Sequence, residues 1–591
     1  MDEQQRQMAE EILFSDKKKS GFGMRLYFGD FDSSKVFPYP TLPADEAEKL
    51  QDYLAQVKIF ADTVIDPDWI DRHAEIPQSV IQGLAKLGLL GMTVPKESGG
   101  LGMSQHAYCK ATEIIAGRCA ATALFINAHQ SIGLKALLLF GTNEQKQRWL
   151  IPLARGEEIA AFSLTEPNAG SDAAGVETRA VLDPVKKVYR INGKKQWTTN
   201  GSMAGVLTVM AKTEVYTPQG KKDKVTAFLI TPDMPGFKVT AAALEKVGMR
   251  GSRTANLEFV DMEVPVENIL GPLGGGLKVC LTVLDYGRTT FGAACTGGAK
   301  FLVEKAVNHA KTRFQFNRPL ASFGLVKKKI ARMSALTYAM DAATYLTAGF
   351  VDEGDQDIMV ESAILKVFAS DSLWEILYDT MQIYGGRSFF TDQPFERMMR
   401  DARLNMIGEG SNEVMRAFIG VVGMRDVGLE LKGFLDALGD PINNRKGIWK
   451  FLGNNLTKLR LPEVKVRSEN LQHEAKQLAQ AVRNFGFAVI RLLKEYREDI
   501  LENQLELERI ANSAIAIYTA AAVLGKLDAA MGADGTANET PQQIASGKLY
   551  CQMAFDTVEK NLDALFSPLD EVIEKLSDDI TGLSQDSRKD S

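Results

Sequence analysis

The chain changes its hydrophobic rhythm twice, and those two changes limit the fold more than any other feature of its 591 residues. Up to about residue 155, apolar side chains recur at three- and four-residue steps, as in Val80, Leu84, Leu87 and Leu90. That spacing is the stripe of an amphipathic helix. From Ile159 to about Val279 the rhythm becomes two, in KVYRINGKKQWTT, GVLTVMAKTEV, KVTAFLITPD, GFKVTAA and ANLEFVDMEVP. Side chains alternate across a strand but repeat every 3.6 residues around a helix, so one kind of element cannot serve both stretches. Helical spacing returns at Leu281 and runs to Val422, with Ile330, Met333, Leu336, Met340 and Ala343 on one face. A helical half, a compact β-insertion of domain size and a second helical half make an α+β chain, without the strand–helix alternation of a parallel sheet.

Turn and breaker residues place the boundaries. Residues 1–44 hold SGFG and FPYPTLP, which read as an extended N-terminal arm. An N-terminal helical domain follows over 45–158, interrupted at Pro95 and at GGLG (99–102). Gly141 reads as a helix C-cap, and Thr142 or Asn143 as the next N-cap. The central β domain covers 159–280, with Asn192-Gly193 as a hairpin turn. A helical bundle covers 281–425. Residues 426–465 look loop-rich because of Gly433, Gly439, Pro441, Gly447 and Gly453. Beyond them Leu471, Ala475, Leu478, Val482, Phe485, Val489, Leu492 and Tyr496 form a helical seam, and two further helices lie near 505–531 and 542–576. Residues 426–591 are therefore expected to form an extra all-α C-terminal domain.

Bulk composition excludes several classes. A formal charge of −6 leaves no basic footprint for nucleic acid. Five cysteines without C-x-x-C spacing and five dispersed histidines suggest neither a disulfide framework nor a metal site. No apolar run reads as a bilayer span. The opening MDEQQRQMAEE has neither the apolar core of a signal peptide nor the acid-poor bias of a transit peptide, so a cytoplasmic location is expected.

The stretch RLNMIGEGSNEVMR (403–416) carries the sharpest chemistry. Glu409 lies between Gly408 and Gly410, just before a helix start with Ser411 and Asn412 as N-cap candidates and Glu413 in the first turn. Glycines admit a close ligand approach. A carboxylate held there in an apolar pocket becomes a general base of raised pKa. A solvated surface loop explains the same residues. Four other motifs are individually weak. LTEPNAGSD (164–172) offers Thr165, Ser171 and free backbone amides to a flat heteroaromatic ring, or is a plain turn. In KKQWTTNG (194–201), Trp197 and Thr199 share a strand face, suited to holding a ring or to filling a core. In KTRFQFNRP (311–319), Arg313 and Phe316 are spaced to share a face at a helix end, where arginine meets a pyrophosphate or simply solvent. MQIYGGRSF (381–389) brings Gly385 and Gly386, which permit nucleotide approach or end a helix.

Together these five motifs, in this order and spacing, resemble the acyl-CoA dehydrogenase family. VFPYP near Val36, AHQSIG at Ala128 and the helical C-terminal unit resemble its very-long-chain subgroup and that subgroup's assembly-factor relative. The resemblance implies an FAD enzyme that oxidises the Cα–Cβ bond of an acyl thioester to a trans-2-enoyl-CoA in fatty acid β-oxidation. It implies Glu409 as the base, with the backbone N–H of Glu409 in the oxyanion hole. It implies Thr165, Ser171, Trp197 and Thr199 around the flavin ring, and Arg313, Phe316, Gln382 and Gly386 at the FAD of a neighbouring subunit, hence a homodimer. Ser411 and Glu413 join the cofactor set. Ser171, Asp285, Arg288 and Gly410 form the substrate set. A few relatives carry the base just before the arginine that matches Arg288; here that position is Gly287, which leaves Glu409. Gly408 replaces a frequent aromatic, and Asn127 stands near a position that is small in very-long-chain enzymes, where a polar side chain shortens the acyl pocket.

Electron-transferring flavoprotein is the implied acceptor. An oxygen-using oxidase and a low-turnover assembly protein are the alternatives. The basic amphipathic stretch RKGIWKFLGNNLTKLR (445–460) is a candidate peripheral membrane contact.

Overall fold

The computed structural model describes residues 21–218, 220–355, 357–439, 460–531 and 539–583. The chain divides into two compact units: 39–412 with 541–546, and 20–38 with 413–540 and 547–591. The membrane-contact stretch at 445–460 lies outside the described residues except for Arg460.

The short helix α1 (Phe22–Leu26) and a turn at Ser33–Lys35 belong to the second unit. The expected N-terminal arm is thus not one extended segment. Tyr27 donates its hydroxyl to Ile419 O at 2.7 Å, Phe22 meets Tyr518, and Ser33 bonds Glu463 O. Apolar residues at 22, 24, 26 and 27 bury this stretch, a signal that the nearby glycines and prolines masked in the sequence.

In the first unit, helices α2 (Ala44–Val64), α3 (Pro67–His73), α4 (Gln78–Lys86) and α5 (Gln105–Arg118) build the N-terminal domain. Val80, Leu84, Leu89 and Leu90 sit in its core. Helix α6 runs from Ala120 to Phe140 and has a π-helical middle, Asn127–Leu134. Gly141 ends it with extended dihedrals; a Cβ there would lie 2.5 Å from Leu137 O. Thr142 caps α7 (Asn143–Ala154) in a full capping box with Gln145.

Eight strands follow: β1 (Ala160–Ser163), β2 (Arg179–Asp183), β3 (Val188–Thr199), β4 (Val206–Thr217), β5 (Gly220–Ile230), β6 (Phe237–Ala241), β7 (Thr254–Pro265) and β8 (Ile269–Leu270). Their order is β6–β7–β3–β2–β4–β5–β8, with β1 parallel to β4. Tyr189, Ile191, Leu207, Val209, Phe228, Leu257 and Phe259 from four of them share one core, so the sheet wraps on itself. The β2–β3 turn is at 184–187, where Asp183 Oδ1 accepts from the Val185 and Lys186 amides, not at Asn192-Gly193. Asn192 and Gly193 lie inside β3 at a register shift against β7. Gly193 is needed for packing: a Cβ there would lie 2.3 Å from Thr178 Oγ1.

Helix α8 (Gly276–Thr312) begins a few residues before the expected Leu281. A small hairpin of β9 (Phe314–Gln315) and β10 (Arg318–Pro319) precedes α9 (Gly324–Asp352), α10 (Met359–Tyr384) and α11 (Phe395–Asn405). Met333, Leu336, Met340 and Ala343 form the buried stripe of α9.

Helix α12 (Asn412–Gly439) is uninterrupted, so the expected boundary at residue 425 falls inside a helix, and the first compact unit ends at Asn412 instead. Glycines at 428 and 433 belong to this helix rather than to a loop. In the second unit, α13 (Gln472–Tyr496) carries the expected seam inward, and it packs with α14 (Gln504–Met531). The last stretch splits into α15 (Pro541–Asp563) and α16 (Leu569–Thr581). On α16 the apolar residues Leu569, Val572, Ile573, Leu576 and Ile580 are exposed. Two helices, Ala120–Phe140 and Gln504–Met531, are in fact long and apolar enough to cross a bilayer, contrary to the sequence reading. In the apolar 18-residue stretch of each, 78% and 89% of the residues respectively are packed inside the protein.

Candidate active site

Glu409 occupies a left-handed backbone position, φ 58°, beside Gly410 at φ 96°. A non-glycine residue held there is strained, and such strain persists only where the surroundings fix it. The fixing groups are visible. Lys366 of α10, itself fully buried, donates to Gly410 O at 2.6 Å and to Asn412 Oδ1 at 2.7 Å. Asn412, the first residue of α12, passes its own amide N–H to Ser370 and Asp371. On the other side Arg288 Nε lies 3.5 Å from Glu409 O.

The Glu409 carboxyl is turned into the protein. Oε1 accepts from Asn127 Nδ2 at 3.1 Å, while Oε2 is buried with no hydrogen-bond partner. Gly287 makes room: a Cβ there would lie 3.2 Å from that oxygen and 3.0 Å from Ile132. Burial pushes the carboxyl up to about 7, against the pull of Arg288 and Lys366. Burial lowers the Lys366 ammonium to about 8, with Glu409 pulling it back. Beneath Arg288, Asp285 accepts from Ser362 at 2.8 Å and pairs with the guanidinium at 3.4 Å. Burial raises Asp285 to about 6 despite both partners. A buried carboxyl with one oxygen unpartnered and its pKa raised by burial is poised to take a proton near neutral pH.

A cavity of about 350 Å³ reaches Asn127, the residue that donates to Glu409 Oε1. Asn127 lines it, with Phe291, Cys295 and Gly298 of α8, Leu373 of α10 and Asn405 of α11.

The ring-holding motifs occupy the β domain. The TEPNAGSD loop is pinned to β3 by a buried ion pair, Lys195 Nζ to Glu166 Oε1 at 2.5 Å, and by Gln196 N to Thr165 O at 2.9 Å. Sequence reasoning missed this pair because Glu166 and Lys195 look like ordinary surface residues. Trp197 and Thr199 do lie on the side of β3 away from the core, but through a bulge rather than plain alternation. Trp197 has φ 58° and is 62% exposed, while Thr198 is buried. Thr165 and Thr199 are half-buried and Ser171 is exposed.

Arg313 and Phe316 do not share a helix face. Helix α8 ends at Thr312, Arg313 is its C-cap, and Phe316 stands in the β9–β10 turn. Phe316 and Asn317 both have positive φ, 50° and 57°, the signature of a tight hairpin turn. The three-residue spacing was read as helical because the hairpin strands are two residues long. Phe316 is 87% exposed. Gln382 is exposed near the end of α10 and bonds Tyr378. Gly385 and Gly386 face open space, with nothing within 4 Å of an added Cβ. Ser411 directly precedes α12 and Glu413 is exposed in its first turn.

Three segments of the chain match the N-terminal, middle and C-terminal domains of acyl-CoA dehydrogenases, at 47–157, 161–262 and 274–423. Residues 469–584 match the ACAD9/ACADV C-terminal domain. The very long-chain specific acyl-CoA dehydrogenase of Bos taurus is 35% identical over 92% of this chain and 84% of its own length. Among solved structures, the Bacillus anthracis acyl-CoA dehydrogenase complexed with FAD is 27% identical, with a TM-score of 0.77 over 92% of this chain and 91% of that one. The Megasphaera elsdenii butyryl-CoA dehydrogenase is 33% identical, with a TM-score of 0.61 over 65% of this chain and all of its own. The chain belongs to the acyl-CoA dehydrogenase family.

Proposed function

We propose that this chain is an FAD-dependent dehydrogenase of long-chain saturated acyl-CoA, with Glu409 as its base and electron-transferring flavoprotein as its acceptor. The observation that carries this reading is the buried, partnerless Glu409 Oε2 on a glycine-flanked loop, with its neighbour Asn127 lining a cavity. The match of residues 469–584 to the ACAD9/ACADV C-terminal domain and the identity to the very long-chain specific enzyme support a long-chain substrate.

The surroundings fit FAD. Trp197, largely exposed on its bulge, offers an indole face for the flavin ring, and Thr165, Ser171 and Thr199 offer hydroxyls nearby. Gly385 and Gly386 leave the open cradle a pyrophosphate needs, and Arg313 supplies charge. FAD, when bound, supplies the acceptor for the hydride that leaves Cβ. The chain's own residues do the rest. Glu409 takes the proton from Cα. Its backbone N–H, presented by the left-handed loop, meets the thioester oxygen where charge develops. Lys366 and Arg288 hold that loop, and Asp285 holds Arg288. The exposed rings Phe314 and Phe316 on the β9–β10 hairpin, and Phe389 and Phe390 after α10, are 57–87% accessible, apolar positions a second subunit could cover in a homodimer.

The test is turnover of a saturated long-chain acyl-CoA, with product read as enoyl-CoA. Reduction of added electron-transferring flavoprotein, with negligible peroxide in air, is the expected result. Rapid peroxide formation without that partner identifies an oxidase, and no enoyl product with either acceptor overturns the reading.

A further inference from the structure

Two amide side chains in the wall of the cavity are poorly matched to a plain hydrocarbon. Asn405 of α11 and Asn127 of α6 both line it and are 5% and 4% exposed. Among the described residues, the Oδ1 atom of each is enclosed without a hydrogen-bond partner. Charged groups elsewhere on the same wall are matched. Arg397 bonds Asp68 at 3.2 Å and lies 3.9 Å from Asp401, Asp401 accepts from the Met249 amide, and Arg118 donates to Ile65 O at 3.0 Å. The two asparagine oxygens are the exception.

The nitrogen ends of both amides are engaged. Asn127 Nδ2 donates to Glu409 Oε1 at 3.1 Å and to Gly287 O at 3.4 Å, which fixes the amide, because a flipped one would set its oxygen against a carboxylate and a carbonyl. Asn405 Nδ2 lies 3.6 Å from Cys295 Sγ, a weak acceptor that also lines the cavity and is close enough for the Glu409 charge to act on its thiol. A buried acceptor without a donor carries a desolvation penalty. An alkyl chain laid against this wall offers no donor and keeps water from both oxygens. A hydroxyl brings one O–H and two lone pairs, so it donates to an asparagine oxygen and still accepts from a neighbour.

We propose that the cavity takes an acyl chain carrying a hydroxyl group, held at Asn405 and Asn127, in preference to the unsubstituted chain of the same length. The proposal rests on the acyl-CoA reading above and narrows its substrate class. The hydroxyl lies beyond Cβ, so the Cα–Cβ bond is still the one oxidised and the hydroxyl passes unchanged into the enoyl product. A site that hydrogen-bonds a substrate hydroxyl rejects the analogue lacking it, because its own buried polar groups are then left unmatched.

Anaerobic flavin bleaching of the holoenzyme is measured with palmitoyl-CoA and with its monohydroxy analogues, the hydroxyl moved along the chain beyond Cβ. In parallel, the affinity of the Glu409→Gln holoenzyme for the same thioesters is read from the perturbed flavin spectrum, which needs no turnover. At one or more hydroxyl positions the analogue is expected to bind and bleach about tenfold better than the plain chain. Asn405→Leu, close in size but without the amide, is expected to reverse that ranking in favour of the plain chain. If Asn405→Leu loses its flavin, the native ranking and the Glu409→Gln affinities decide the matter alone. A hydroxyl preference that survives Asn405→Leu unchanged overturns the assignment to Asn405. A plain chain that binds and bleaches as well as every hydroxylated analogue overturns the inference, with water then the partner of both oxygens, and leaves the acyl-CoA reading standing. If no thioester, plain or hydroxylated, binds or bleaches, the acyl-CoA reading falls and the inference with it.

Discussion

Lys195→Met tests the reading of the β domain at its most deeply buried charge. The Lys195 side chain is 0% exposed and that of Glu166 2%, and their charged atoms are 2.5 Å apart. Lys195 also donates to Leu164 O at 2.9 Å, and Glu166 accepts from the Thr178 and Glu177 amides. Methionine keeps the length and removes the ammonium. Glu166 is then a sealed carboxylate with backbone donors but no cation, a loss of about 3–5 kcal/mol for one broken buried pair. Burial by itself raises the Glu166 pKa, yet Lys195 and the surrounding donors hold it below its ordinary value. Its contribution to stability is therefore present above the unfolded carboxylate pKa and lost as pH falls through the lower, folded one. In Lys195→Met the Glu166 pKa rises, so the penalty is largest at neutral pH and shrinks in mild acid. Because the pair ties the Thr165–Ser171 loop to the strand bearing Trp197, flavin affinity falls with stability. The assay is thermal melting with flavin release followed in parallel at several pH values, for Lys195→Met and for Lys195→Met combined with Glu166→Gln. The double variant is expected to recover most of the loss, because an amide is far cheaper to bury than an unpaired charge. A Lys195→Met protein that melts and holds flavin like the wild type at neutral pH refutes the reasoning.

Other outcomes follow from the same geometry. As the proposed base, Glu409 would work deprotonated, and burial pushes its carboxyl up to about 7, so substrate-driven flavin bleaching should rise about tenfold from pH 6 to pH 8 and then level off, as read by stopped flow. Lys366→Met leaves Gly410 O and Asn412 without their donor and removes a charge that favours ionised Glu409. The bleaching midpoint should move to higher pH, and melting should show a loss of about 2–3 kcal/mol. In the second unit, a Cβ on Gly423 would lie 2.0 Å from the buried Tyr27 ring, so Gly423→Ala should cost about 1–3 kcal/mol, seen as earlier denaturant-induced unfolding.

The three-part order of helix, sheet and helix was legible because the period of the hydrophobic pattern changes at the boundaries. The α13 seam was legible for the same reason: Leu471, Leu478, Val482, Phe485 and Val489 are all buried. Period says nothing about which distant segment covers a stripe, so residues 22–38 were read as an arm although they belong to the C-terminal unit. Glycines misled twice. Asn192-Gly193 has hairpin composition but lies at a register shift inside β3, where Gly193 packs against Thr178, and Gly433 and Gly439 sit within α12. Phe316 was placed on a helix because a two-residue hairpin is too short to show a period. At the base, the glycine-flanked Glu409 was visible in the sequence. Its left-handed backbone, its contact with Asn127 and its support from Lys366 depend on contacts that span 44 to 282 positions, and no local pattern reports them.

The measurement closest to the central claim is anaerobic titration of the purified flavoprotein with acyl-CoAs of increasing length, for the native protein and for Glu409→Gln. The account predicts bleaching of the native flavin with an optimum among long chains, and an unbleached flavin in Glu409→Gln that still binds the same substrates. A native flavin that no acyl-CoA bleaches, or a Glu409→Gln flavin that bleaches at the native rate, contradicts it.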